Sequence, residues 1–129
     1  MKLLPLLLLL FVAGCDQNID VILPTDPTPV VVSNTFEFRV TGNAQQVRIR
    51  YSNPVDGTSQ VSSALPFFTS FRSDRDYVFL SLDVTPLNFP FSVTQPFISA
   101  QILVNGEVFG QASSTEFLET VSISGTWRR

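Results

Sequence analysis

Serine is the most plentiful residue type here that could act as a nucleophile, with Ser62, Ser63, Ser113 and Ser114 in adjacent pairs. A serine hydroxyl attacks only when a neighbouring base takes its proton. The sequence holds no histidine, and its one lysine is Lys2, at the start of an apolar N-terminal run, so the Ser-His and Ser-Lys arrangements are both denied to the rest of the chain. Two close carboxylate pairs remain, Asp74 with Asp76 and Glu116 with Glu119. Each sits in a polar stretch, where carboxylates are solvated rather than held against a substrate. Asp74 and Asp76 also offer hard oxygen ligands to calcium, which takes about six to eight. Asp83 could join them only if the following strand brought it back, and Arg72 and Arg75 offset the acids in an exposed turn. The expectation is no catalytic residue, no metal and no cofactor.

The lone cysteine, Cys15, carries a more specific signal. Met1 and Lys2 form a minimal positive start, and Leu3 to Ala13 form an apolar run broken only by Pro5. Eleven residues of helix reach about 17 Å, well short of a hydrocarbon core of about 30 Å, whereas a signal-peptide apolar region has this length. The run ends in Val12-Ala13-Gly14-Cys15, which resembles the lipobox of bacterial lipoproteins. That resemblance implies cleavage between Gly14 and Cys15 and acylation of the Cys15 sulfur. Stable anchoring takes two acyl chains, each buried methylene contributing about 0.8 kcal/mol, and a diacylglyceryl group supplies both. Palmitate-type modification and a membrane partner reached through the N-terminal lipid follow from it. Asp16 resembles the residue that retains enteric lipoproteins in the inner membrane; its other reading is a solvated tether residue, so inner and outer membrane stay open.

Cleavage would leave 115 residues with seven arginines and eleven acids. A length near this fits one domain, and it can bury roughly two-thirds of its unfolded surface. With a single cysteine the domain cannot hold an internal disulfide and must rely on its apolar core. The acidic balance argues against nucleic acid, which demands a clustered cationic face. Residues 15–33 read as a lipidated cysteine and a tether: Pro24, Pro27 and Pro29 among threonine and aspartate favour extended polyproline II. Ile19, Val21, Ile22 and Leu23 make the first part of it too apolar for a pure linker.

The texture changes over 34–127. Phe36, Phe38 and Val40 alternate with Glu37 and Arg39, and Val47, Ile49 and Tyr51 alternate with Gln46, Arg48 and Arg50. A period of two with one apolar face is the pattern of a half-buried strand. Thr58 to Ala64 reads as a polar strand near an edge, and Phe67 to Arg72 as a further short strand. Tyr77 to Val84 is the clearest strand, with Val78, Leu80, Leu82 and Val84 on one face; Phe97 to Val104 repeats the design with Ile98, Ala100, Ile102 and Val104. Asn105-Gly106 is a type I′ hairpin signal, Glu107 to Gln111 returns as its partner, and Phe117 to Ser124 reads as the last strand. About seven or eight short strands with frequent turns predict an all-β, antiparallel, immunoglobulin-like β-sandwich.

Between the clearest strand and its successor lies a proline-bounded stretch, Thr85 to Pro96, that carries Leu87, Phe89 and Phe91. Long loops without structure of their own are often functional, and exposed apolar patches mark contacts. Leu87, Phe89 and Phe91 are the candidate contact residues, for a lipid or membrane partner; in the competing reading the rings fold back and close one end of the sandwich.

The order of several short motifs resembles the small mycobacterial membrane protein (MmpS) family. They are Phe36 to Gly42, Val47 to Tyr51, Asp56-Gly57-Thr58, Leu65-Pro66-Phe67, where the family usually has Leu-Pro-Trp, and Ile102 to Gly106. Together they cover about 36–125. The resemblance implies an immunoglobulin-like sandwich serving as an accessory to an RND-type envelope transporter of lipids or other hydrophobic molecules. The chain departs from the family in carrying a lipobox instead of a membrane helix, and in having Ala100, Gln101, Ser122 and Ile123 where a cysteine pair is usual. The expectation is therefore a non-catalytic lipoprotein in a cell-envelope membrane with its domain outside the cytoplasm. Alternatives are a structural or adhesion-type surface lipoprotein and a small hydrophobic-ligand carrier.

Overall fold

The structure, a computed structural model, describes residues 32–129 apart from Val55. Gly14, Cys15 and the tether up to residue 31 lie outside the described residues. Eight strands follow one another: β1 (Asn34–Gly42), β2 (Gln46–Asn53), β3 (Gly57–Ser63), β4 (Phe67–Ser73), β5 (Tyr77–Asn88), β6 (Ile98–Val104), β7 (Glu107–Ser114) and β8 (Val121–Arg128). They form two four-stranded antiparallel sheets, ordered β4-β1-β6-β7 and β3-β2-β5-β8. The protein is an all-β sandwich.

The inward positions follow from alternation. Phe36, Phe38 and Val40 of β1 and Ile98, Ala100 and Ile102 of β6 line one sheet; Val47 and Ile49 of β2 and Leu80, Leu82 and Val84 of β5 line the other, and all are buried. Aromatic rings fill the space between. Phe36 stacks on Phe71 at 5.1 Å and meets Trp127 edge-on at 5.3 Å, while Phe38 lies 5.4 Å from Tyr51 and 5.8 Å from Phe71. Offset and edge-on pairs of this kind contribute beyond the area they bury. Along the β7–β8 side the sheets close together: a Cβ on Gly110 would stand 2.8 Å from Ile123 Cγ2, so only glycine lets the backbone approach so near.

The Asn105-Gly106 hairpin forms as expected, with φ of 51° and 87°. Asn105 also reaches across to β1, where its Oδ1 accepts from Thr35 N at 2.9 Å and its Nδ2 donates to Asn34 Oδ1 at 2.9 Å. This hairpin, the β4–β5 turn and the C-terminus share the end of the sandwich at which the chain enters β1. There Arg129 donates to Val32 O at 2.8 Å and pairs with Asp76 at 2.9 Å.

Several boundaries differ from the sequence expectation: β7 runs on past Gln111 to Ser114 and β8 past Ser124 to Arg128, and two further differences shape the far end of the sandwich. β5 continues through Pro86 to Asn88, because Pro86 is paired with Val47 beside an irregularity at Gln46/Val47, where the ladder tolerates a residue with no N–H to give. The last strand starts at Val121 rather than Phe117. Leu118 has φ of 64°, which an extended strand does not allow, and Ser114 Oγ accepts from Glu116 N at 3.0 Å to turn the chain instead.

Candidate functional site

The far end of the sandwich is built from two loops, 89–97 and 115–120. The first is pinned by Asn43, the residue after β1. Asn43 N donates to Phe97 O at 3.0 Å, its Nδ2 donates to Gln95 O at 2.9 Å, and its Oδ1 accepts from Phe97 N at 2.8 Å. Gln45 N adds a bond to Asn88 O at 2.9 Å. The second loop is held by Ser114, which donates from Oγ to Glu119 Oε2 while accepting from Glu116 N. Thr85 and Thr120 share a hydroxyl hydrogen bond at 3.0 Å at the end of this loop.

The three sequence-predicted contact residues are separated by the fold. Leu87 belongs to β5 and is half-buried; the loop proper begins only at Phe89. Phe89 is partly buried against the core and meets Phe117 edge-on at 5.2 Å. Phe91 stands free in solvent, fully exposed. Phe89 is thus folded back over the end of the sandwich, while Phe91 is left exposed.

Beside Phe91 the structure sets residues that sequence reasoning gave to a strand. Phe117 is 53 % and Leu118 68 % exposed. With Phe89, Pro90, Phe91 and Val93 they border an open concavity of about 360 Å³. The signal for them was the run Glu116-Phe117-Leu118-Glu119, in which two acids bracket two large apolar residues and spoil any alternation. Leu118 is doubly unusual. A bulky residue in the left-handed region costs roughly 1–2 kcal/mol, and here its side chain gains little burial in return. Such strain tends to sit where a protein makes its contacts.

The carboxylates weighed for catalysis or calcium lie apart from this tip or serve other partners. Asp76 pairs with Arg129 at the opposite end, and Asp83 lines a polar concavity on the outer face of the second sheet with Arg48 and Arg50. Among the described residues no three His, Cys, Asp or Glu side chains cluster as metal ligands, and no helix is long and apolar enough to cross a membrane. No protein-family model matches the chain, and no curated protein matches it at a significant level.

Proposed function

We propose that the chain is a lipid-anchored, non-catalytic binding module of a bacterial cell envelope, tied to the bilayer through Cys15 and meeting its partner through the apolar end of the sandwich. The observation that carries this reading is the position of Phe91, Phe117 and Leu118 at the end opposite to where the chain enters β1. Nine residues of β1 separate the two ends by about 30 Å.

The immunoglobulin-like description is supported by strand order. β1 and β4 pair in one sheet as strands B and E do in an immunoglobulin domain, while β2, β5 and β8 lie side by side as C, F and G do, with β3 beyond β2. The β6–β7 hairpin on the other side of β1 is the departure. The accessory role beside an RND-type transporter is the particular form of this function that the MmpS resemblance implies. A structural or adhesion-type role is favoured by the buried aromatic core, and it would use the same tip. The carrier alternative requires an interior slot, and the full burial of Phe36, Phe38, Leu80 and Leu82 between the sheets does not favour it.

The anchor is tested in cells with a working lipoprotein pathway. The full chain should incorporate labelled palmitate and sediment with membranes. Cys15→Ser should abolish the label and move most of the protein to the soluble fraction, since four apolar residues, Ile19, Val21, Ile22 and Leu23, are no equivalent of two acyl chains. Undiminished sedimentation of an unlabelled Cys15→Ser chain would remove the anchor from this reading.

A further inference from the structure

The two loops of the tip carry acids and no cation, the nearest arginine in register being Arg48, opposite Thr85 on the outer face of the second sheet. Glu116 and Glu119 flank Phe117 and Leu118, and no lysine or arginine occurs between Arg75 and Arg128. The other turns at this end, around 41–46 and 63–67, also lack charge. The opposite end holds both signs, with Arg72, Arg75, Arg128 and Arg129 beside Asp74, Asp76 and Glu107.

We infer that the tip formed by Phe91, Phe117 and Leu118 docks into an apolar pocket of a partner protein whose rim carries arginine or lysine, with Glu116 and Glu119 facing that rim. The inference rests on the proposed contact role of this tip and adds the chemistry of its partner. Complementary potential selects the occupant. An anionic bilayer surface attracts basic segments and repels this one. A second copy would bring four carboxylates face to face, and like charges in juxtaposition oppose association. An apolar pocket with a cationic border satisfies both the exposed rings and the flanking acids, and its attraction weakens as salt screens it.

Leu118 supplies an independent sign of use. At φ of 64° a glycine would sit without strain, so leucine is retained at a cost to the free domain. Leu118→Gly should raise the melting temperature by about 4 °C and weaken docking, the trade expected of a residue serving contact rather than stability. A lower melting temperature with docking unchanged would make Leu118 a structural residue and overturn this part of the inference.

The full chain carrying a photo-crosslinking amino acid at position 91 is expressed in its own cells, with position 58, exposed at the other end, as control. The expected product is one protein adduct at 91, absent at 58. The reversal Glu116→Lys, which leaves the Ser114–Glu119 bond that holds the loop in place, should cut its yield about tenfold, the loss of roughly 1.4 kcal/mol of coupling. A phospholipid adduct, an adduct with a second copy, no adduct, or a yield indifferent to charge reversal would each overturn the inference. Palmitate labelling of the same cells separates the two readings. An unlabelled chain that still gives the adduct sinks the anchor alone, and a labelled chain without it sinks the docking surface alone.

Discussion

Phe38→Ala should destabilise the domain by about 3–5 kcal/mol, which at about 4–8 °C per kcal/mol lowers its melting temperature by some 12 °C or more. Phe38 has no exposed surface and lies in β1 opposite Thr69 on one side and Ile102 on the other. Its ring contacts those of Tyr51 and Phe71, so truncation removes transfer energy and leaves a cavity bordered by rings that are themselves held by other neighbours. Phe71 also stacks on Phe36, and Tyr51 also faces Phe67, which restricts collapse into the space. A domain of this size has about 5–15 kcal/mol in all, so the variant would be marginal at 37 °C. Phe91→Ala provides the contrast: the same chemical change at a fully exposed ring should move stability by no more than about 0.5 kcal/mol. Urea unfolding followed by circular dichroism reads both. A Phe38→Ala loss below about 1 kcal/mol would mean that the aromatic cluster repacks freely and that its rings do not hold one another in place.

That contrast marks where the sequence was legible and where it stopped. Phe38 is inward because β1 alternates cleanly, a local property that needs no knowledge of the partner strand. The inward faces of β2, β5 and β6 were readable for the same reason, and Asn105-Gly106 because the positive φ of a type I′ turn is a demand on two adjacent residues. The division of strands between sheets was not readable. β1 and β2 are joined by a short turn yet lie in different sheets, and period-two alternation is the same for a hairpin and for a crossing between layers. Phe89 and Phe91 were equally indistinct. Both neighbour Pro90, and what distinguishes them is that Phe89 packs against the core and meets Phe117, twenty-eight residues on in the chain, whereas Phe91 is exposed. Phe117 itself reads as strand because the turn at Leu118 uses a residue that rarely makes one. The site was half visible for a physical reason: one loop announces itself by proline, and the other hides its turn behind leucine.

Gly42→Ala should have the second largest effect, and it joins stability to the site. Gly42 ends β1 at φ of 149°, and a Cβ there would lie 2.2 Å from Phe97 O and 3.0 Å from Ile98 Cα. Both obstacles are backbone atoms, so no rotamer change relieves them. The carbonyl pushed away is the one that accepts from Asn43 N, and the displacement would also strain the two Asn43 side-chain bonds that pin the 89–97 loop. Backbone strain of this order together with one or two weakened hydrogen bonds amounts to about 3 kcal/mol, or some 12 °C or more in melting temperature. Asn43→Ala keeps the backbone bond and forfeits only the side-chain pair, for about 1–2 kcal/mol. The two variants should therefore fall in that order on a thermal melt, and both should lower the photo-adduct yield at position 91, because each loosens the base on which Phe91 stands. Phe91→Ser makes the converse case: it should weaken docking while leaving the melting temperature where it was. If Gly42→Ala instead melts within about 1 °C of the parent and still gives the full adduct, the loop does not depend on this clamp, and the tip must be held in place by its other contacts, Phe89 against Phe117 and Gln45 N on Asn88 O among them.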